Sequence, residues 1–139
     1  MKASKQKVQD IRSGKESAMK EFRVNFMDEE ITVAFMKGKY EVNDRLFIGC
    51  IAKNEDGYWE DFCDITKNLP VELEDKYPLD SCAFLDENNL PHCIDKLIVM
   101  NGWMCMLNHV VRTGFTQYPL VMFSDEFLND VCVTEIIEE

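Results

Sequence analysis

Long hydrophobic runs are absent from this sequence of 139 residues. Its apolar stretches, such as residues 97–100, are only a few residues long, whereas a membrane-spanning helix needs about 20 consecutive apolar residues. The charged N-terminus also lacks the hydrophobic segment of a secretory signal. The sequence therefore predicts a protein without a membrane segment that resides in the cytoplasm.

Glycine and histidine are scarce, and this disfavours several kinds of cofactor and metal site. The six glycines are not grouped as a phosphate-binding loop requires. No Cys-x-x-Cys pair is present, and Cys82, His92 and Cys93 have irregular spacing for a zinc site. We therefore expect no cofactor and no metal.

Catalytic signatures are also missing. His92 adjoins Cys93, and Cys105 lies four residues before His109, but neither pair is surrounded by the motif of a cysteine nucleophile. Carboxylate pairs are frequent, yet a chain with 26 acidic residues contains such pairs by chance. The sequence predicts that the protein is not an enzyme.

The six cysteines are interpreted as reduced thiols. Cys50, Cys82, Cys105 and Cys132 have apolar neighbours in the sequence. A free cysteine often behaves as a small core hydrophobe, and disulfides belong mainly to secreted chains. We expect six free thiols that serve packing.

Charge is unevenly distributed along the chain. The whole chain carries a net charge of −11. Residues 1–23 hold seven basic and three acidic side chains, a net of +4, and the other 116 residues hold eight basic and 23 acidic ones, a net of −15. We divide the chain into a basic N-terminal arm, residues 1–21, and a single acidic domain, residues 22–139. An acidic body repels phosphates, so we expect no direct nucleic-acid binding by it and a preference for a basic protein surface.

Alternating apolar residues predict strands in the first half of the domain. Two such runs occupy residues 22–26 and 31–35, and residues 46–51 are apolar on both faces. Asn54-Glu55-Asp56-Gly57 is a strong hairpin signal, with a return strand over residues 58–66. The first half therefore reads as an antiparallel meander of four strands.

The second half is mixed. Residues 82–85 and 118–123 read as strands, and a last strand is expected near Val133. Helical spacing of Ile94, Leu97 and Ile98 predicts a helix that begins near Pro91, ends at Asn101-Gly102 and buries these three side chains. The fold class predicted is α+β: an antiparallel sheet of about five or six strands, one main helix packed on it, and a short N-terminal helix over residues 5–12.

The second half also resembles a known family. The resemblance rests on Asn68-Leu69-Pro70, on Cys82–Asp86 followed by Asn88-Asn89 and Pro91, on Asn101-Gly102, on Gly114-Phe115 and on Tyr118-Pro119-Leu120. These segments resemble a domain-of-unknown-function family of gut-bacterial conjugative elements and phage, over roughly residues 22–123. The resemblance implies a small single domain with no assigned enzyme or cofactor, in a gene neighbourhood that includes anti-CRISPR inhibitors. Residues 103–112 are more apolar than the family pattern, and the basic arm is additional.

The acidic residues and the resemblance together suggest an inhibitor. Duplex DNA presents one negative charge about every 1.7 Å along its axis, and an acidic body can imitate part of that field. The partner would be a protein with a basic surface, such as a type II RNA-guided DNA nuclease. An apolar anchor is also needed for specific binding. The expected partner-binding residues are the anchors Trp59 and Trp103 and the acids Glu55, Asp56, Glu60, Asp61, Glu72, Glu74 and Asp75.

The sequence also permits a second function. Trp103, Met104, Met106 and Tyr118 are residue types that line apolar pockets. In this alternative hypothesis, the protein is a small-molecule-binding protein or a small enzyme with a pocket near Trp103. A contiguous acidic face would favour the inhibitor, and a deep apolar pocket would favour ligand binding.

Overall fold

The computed structural model describes residues 20–73 and 76–134. The predicted short N-terminal helix and most of the basic arm lie outside these residues. Strands dominate the described part of the chain, with one α-helix and two short helical turns, Glu87–Asn89 (3-10) and Phe127–Val131 (π). The elements are β1 (Phe22–Phe26), β2 (Glu29–Lys39), β3 (Leu46–Lys53), β4 (Trp59–Asp64), β5 (Thr66–Lys67), β6 (Cys82–Leu85), α1 (His92–Met100), β7 (Met104–Thr113), β8 (Thr116–Phe123) and β9 (Val133–Thr134).

The first sheet contains the predicted meander. Its strands follow the order β1-β2-β3-β4, and each pairs with the next in antiparallel fashion. A fifth strand, β9, pairs in parallel with β2 at Met36 and Lys37. Since β3 occupies the other edge of β2 there, β9 lies on the same edge as β1. The meander prediction for the first half is confirmed.

The single-sheet fold class is wrong, because a second sheet is present. Its order is β5-β6-β8-β7, so the described residues form a mostly antiparallel two-sheet protein with one α-helix rather than one sheet covered by helices. The chain passes between the sheets at Ile65. The Ile65 N–H donates to the Ile48 carbonyl in the first sheet, at 2.9 Å, and its own carbonyl accepts from the Asp86 N–H, also at 2.9 Å. The predicted return strand of residues 58–66 is therefore divided between the two sheets.

The second sheet was not predicted largely because the sequence of β7 does not show the pattern of a strand. Its pairing with β8 shifts register between Met106 and Val110, and Asn108 in that interval has a φ of 59°. Between the flanking pairs, β7 has three residues, 107–109, where β8 has only Leu120, and this irregularity disrupts the alternation of apolar and polar side chains. Residues 103–111 consequently show no period of two in the sequence, although most of them form a long strand.

The main core lies between the two sheets and is closed by α1. Ile94 and Ile98 of the helix are fully buried, whereas Leu97 packs only partly against the core. The helix was predicted with nearly its observed bounds, but its apolar stripe is centred on Ile94 and Ile98. Trp103, directly after the helix, contacts Phe22, Phe35 and Phe127 through ring centroids 5.2 to 5.9 Å apart.

The outer faces of both sheets carry smaller apolar clusters. Trp59 is fully buried with Ala34, Met36 and other residues on the outer face of the first sheet. On the second sheet, Leu69 covers the outer face, and the Arg45 guanidinium donates to its carbonyl at 2.9 Å and also to that of Val71. Within the described residues, no helix is both long enough and apolar enough to cross a membrane.

Candidate functional site

The hairpin between β1 and β2 presents acids at a tight turn. Met27 and Asp28 have φ values of 51° and 65°, which is the left-handed pair of a two-residue type I′ turn. The turn closes on the pair Phe26 and Glu29. Asp28, Glu29 and Glu30 are all exposed, so three consecutive carboxylates project from this tip.

The hairpin between β3 and β4 presents a second acidic tip. The Asn54 side-chain oxygen accepts from the backbone N–H groups of Asp56, at 3.0 Å, and Tyr58, at 2.9 Å. Gly57 supplies the positive φ, 86°, that the turn needs, and its N–H donates to the Asn54 carbonyl. Glu55 and Asp56 are exposed on this hydrogen-bonded turn. Their backbone positions are therefore fixed before any partner binds.

Topology brings the two tips to the same end of the first sheet. In an antiparallel meander, the turn after the first strand and the turn after the third lie at one end. From the paired residues Val33 and Ala52, the first turn lies five residues away at Asp28, and the second lies three to four residues away at Glu55 and Asp56. Neighbouring strands are about 4.8 Å apart, so the hairpins, two strands apart, are roughly 10 Å apart in the direction across the sheet. We call this region the acidic end, formed by Asp28, Glu29, Glu30, Glu55 and Asp56.

Two basic side chains near the acidic end already have acidic neighbours. Arg23 forms an exposed ion pair with Glu30, at 3.6 Å. Lys53 pairs with Glu21 at 3.2 Å, and its amine also lies 5.1 Å from the centre of the Trp59 ring. Neither of these pairs in the described residues involves Asp28, Glu29, Glu55 or Asp56, so negative potential accumulates there.

The structure distributes the predicted partner-binding residues unevenly. Glu55 and Asp56 lie on the acidic end, and Glu60 and Asp61 follow on exposed positions of β4, an edge strand. Glu72 is exposed but belongs to the segment that covers the second sheet, and Glu74 and Asp75 lie outside the described residues.

Both predicted anchors are buried in the structure. Trp59 is fully buried and Trp103 is 3% exposed. Sequence alone does not distinguish a buried tryptophan from an exposed one. Met27, 81% exposed, and Tyr58, 47% exposed, stand on the two hairpins instead. The sequence could have indicated the exposure of Met27 and Tyr58, because both residues lie at predicted hairpin turns.

A groove that the sequence did not reveal lies between β1 and α1. It has a volume of about 510 Å³, within the range of about 300 to 1,000 Å³ typical of ligand sites. Its floor is apolar, and its two charged lining residues, Arg23 and Lys96, are both basic. The lining residues are Arg23, Val24, Asn25, Phe26, Met27, Pro91, His92, Cys93, Lys96, Leu97 and Met100.

The space near Trp103 is much smaller. The pocket next to it in the chain, lined by Gly102, Met104 and Met122 among others, has a volume of about 110 Å³. A site of this size is too small for a typical organic ligand. The ligand-binding alternative with a pocket near Trp103 stays a prediction.

Burial affects the thiols of several cysteines. Burial raises the pKa of the Cys93 thiol, and it raises the pKa values of Cys50 and Cys132 more strongly, whereas a catalytic thiol needs a lowered pKa. All six cysteines are free thiols. Within residues 20–73 and 76–134, no three His, Cys, Asp or Glu side chains are arranged to hold a metal ion.

Comparison with known proteins identifies a family for the chain. A family model described as a domain of unknown function, DUF4313, matches residues 36–138. The match begins within β2, so it excludes β1 but includes strands of both sheets, whereas the resemblance seen in the sequence was placed on residues 22–123. No curated protein and no solved structure matches the chain.

Proposed function

Since the chain belongs to the DUF4313 family, whose function is unknown, we propose from its surface that it is a non-enzymatic interaction protein that docks through its acidic end on a basic protein surface. The observation that carries the proposal is the convergence of two acidic hairpin tips at one end of a sheet. Five exposed carboxylates within a few strand spacings create a local negative field that the net charge alone does not guarantee.

The partner class proposed is an enzyme that binds nucleic acid, of the kind inhibited by anti-CRISPR proteins. Such enzymes present basic channels for a DNA or RNA backbone, and the acidic end offers carboxylates in place of phosphates. The support is the charge and its rigid presentation, together with the sequence resemblance to a mobile-element family. No chemistry is required of the chain, since occupation of the channel would be enough to inhibit.

Met27 and Tyr58 replace the two tryptophans as proposed apolar contacts. Electrostatic attraction raises the association rate, whereas the lifetime of a complex depends mostly on a few buried apolar or aromatic side chains. Met27 and Tyr58 stand beside Asp28 and Asp56 and retain enough exposure to be buried by a partner. The acidic end thus has both components of a docking surface.

The test is DNA cleavage by several type II RNA-guided nucleases, with the protein added before or after guide and target. We expect inhibition that weakens with salt. Replacement of Glu55 and Asp56 by lysine should slow association by about tenfold or more at low ionic strength, because electrostatic steering contributes factors of 10 to 1,000. The matched control changes Asp125 and Glu126 to lysine; both are exposed on a different element and alter net charge equally.

The outcomes separate the steps of the proposal. If cleavage and nuclease binding are untouched at large protein excess for every nuclease tried, the inhibitor function is abandoned. If both pairs of substitutions slow association equally, net charge alone matters and the acidic end is not the docking surface. If inhibition persists at high salt in the Glu55 and Asp56 variant, docking occurs through another surface.

A further inference from the structure

The groove between β1 and α1 has a second property besides its shape: one of its walls is an open strand edge. Strand β1 pairs with β2, and no other strand of the described residues pairs with β1. An unpaired edge presents free N–H and C=O groups that can accept another strand. The groove therefore combines a hydrogen-bonding wall with an apolar floor.

The outward-facing backbone groups of β1 can be assigned. The type I′ turn makes Phe26 and Glu29 a hydrogen-bonded pair, and such pairs alternate along an antiparallel ladder. Phe22 and Val24 are then also bonded to β2. Arg23 and Asn25 direct their N–H and C=O groups away from β2, to the groove side.

Side chains divide the groove into two zones. Val24 packs against the core, and Phe26 packs against Phe62 with ring centroids 5.0 Å apart. Both line the groove, and Leu97 and Met100 of the helix complete its apolar floor. Arg23 and Lys96 are exposed basic side chains of the lining. No carboxylate is part of the lining, although the described residues hold 19 acidic and 10 basic side chains. A basic groove on an acidic protein selects for a ligand of opposite charge.

We propose that this groove binds an extended, acidic peptide segment of a partner protein by antiparallel strand addition to β1. Residues of the peptide opposite Arg23 and Asn25 would form the backbone hydrogen bonds and carry acidic side chains beside Arg23. The residue opposite Val24 would point to α1 and be apolar, because side chains alternate across a strand. The expected ligand therefore alternates acidic and apolar residues over about five positions, the length of β1.

This proposal differs from that for the acidic end because the carboxylates belong to the partner, although the two surfaces adjoin at Met27 and at the Arg23–Glu30 pair. It also explains the exposure of Met100, which is 73% exposed on α1 and would be partly covered by the peptide. Glu30 now pairs with Arg23 at the solvent surface, so a peptide carboxylate would compete with or join that weak pair.

The probe is a fluorescently labelled, end-capped octapeptide that alternates glutamate and isoleucine, and binding is followed by anisotropy with the full chain. Lysine in place of every glutamate should abolish binding. N-methylation of the glutamate amides should also abolish binding, because those N–H groups face β1. N-methylation of the isoleucine amides should change affinity by less than about threefold, because those N–H groups point away from β1.

Amide hydrogen exchange gives a readout specific to strand addition. Saturating peptide should slow exchange of the Arg23 and Asn25 amides by at least about tenfold, whereas the Val24 amide, already bonded to β2, should change little. A peptide held only by charge would leave all three amides unchanged and would overturn the strand-addition proposal.

Protein variants complete the test. Arg23→Glu combined with Lys96→Glu should weaken binding by about tenfold, since one exposed ion pair contributes up to about a factor of five. Lys67→Glu combined with Arg112→Glu is the control, with the same charge change at exposed positions on the second sheet. Asn25→Pro removes an outward N–H without breaking the β1–β2 ladder and should weaken binding, with circular dichroism as the folding check.

Three results would refute the proposal. The first is no binding of the glutamate–isoleucine peptide up to about 1 mM, the weakest affinity a specific site would show. The second is equal binding of both N-methylated peptides. The third is displacement of the peptide by a second copy of the chain or by single-stranded DNA, which would assign the groove to that occupant.

Discussion

Trp103 offers the sharpest test of the core, because sequence alone permitted a surface role for it. The side chain is 3% exposed, and its ring centroid lies 5.3 Å from that of Phe22 and 5.2 Å from that of Phe127. Truncation of a buried Trp to Ala costs about 3–5 kcal/mol. Each aromatic pair adds about 0.5–1.5 kcal/mol beyond its buried area, so we expect Trp103→Ala to lie near the upper end, at about 4 kcal/mol.

Urea unfolding is the assay. With a slope of about 2 kcal/mol per molar urea, a loss of about 4 kcal/mol lowers the midpoint by about 2 M. Trp103→Phe keeps a ring in the cluster and should lose about half as much. The control is Phe115→Ala at the β7–β8 turn, where the aromatic ring is fully exposed and the change should stay within about 0.5 kcal/mol.

Two results would contradict this account of the core. A Trp103→Ala loss below about 1 kcal/mol would mean that the ring doesn't fill the space between the sheets. A Phe115→Ala loss above about 1 kcal/mol would mean that the β7–β8 turn is covered by another part of the molecule.

Three further predictions concern thiols, pH and the helix. Cys105 is exposed and should react with Ellman's reagent first, whereas buried Cys50 and Cys132 should react only on unfolding, and mass spectrometry of the labelled chain identifies the order. Because burial raises the pKa of Cys132, the folded chain keeps this proton above pH 8.5 while the unfolded chain loses it, so stability should fall by up to about 1.4 kcal/mol per pH unit above that pH, and less in Cys132→Ala. Ile98→Ala should destabilise by about 2–5 kcal/mol and Leu97→Ala by clearly less, since only Ile98 is fully buried; equal losses in urea unfolding would contradict the assigned helix face.

Local patterns predicted the first sheet and the helix well. The hairpin at Asn54–Gly57 and the alternation of residues 22–35 depend on neighbours in sequence, and both are present in the structure. The helix end at Asn101-Gly102 follows the same rule, since Gly102 has a φ of 66°. Such elements can be predicted because the residues that determine each turn are adjacent in the sequence.

Features that depend on distant contacts were not predicted. The bulge in β7 removed the alternation that would have indicated a strand, and the passage of the chain at Ile65 into a second sheet has no local signal. Burial of Trp59 and Trp103 likewise depends on which face of which sheet each one occupies. The groove exists because β1 and α1 are adjacent in the tertiary fold. The periodicity of apolar residues in the sequence does not predict that adjacency.

The parallel pairing of β9 with β2 has a consequence for how the chain is made. Met36 pairs with Val133, so the two partners lie 97 positions apart in the sequence. At about 5–20 residues per second, a ribosome takes roughly 5 to 20 seconds to add the residues between them. During that interval the meander can form, but among residues 20–73 and 76–132 no strand pairs with the edge of β2 beyond Val33. A nascent chain stalled before Val133 would expose that edge and should be a preferred substrate for chaperones.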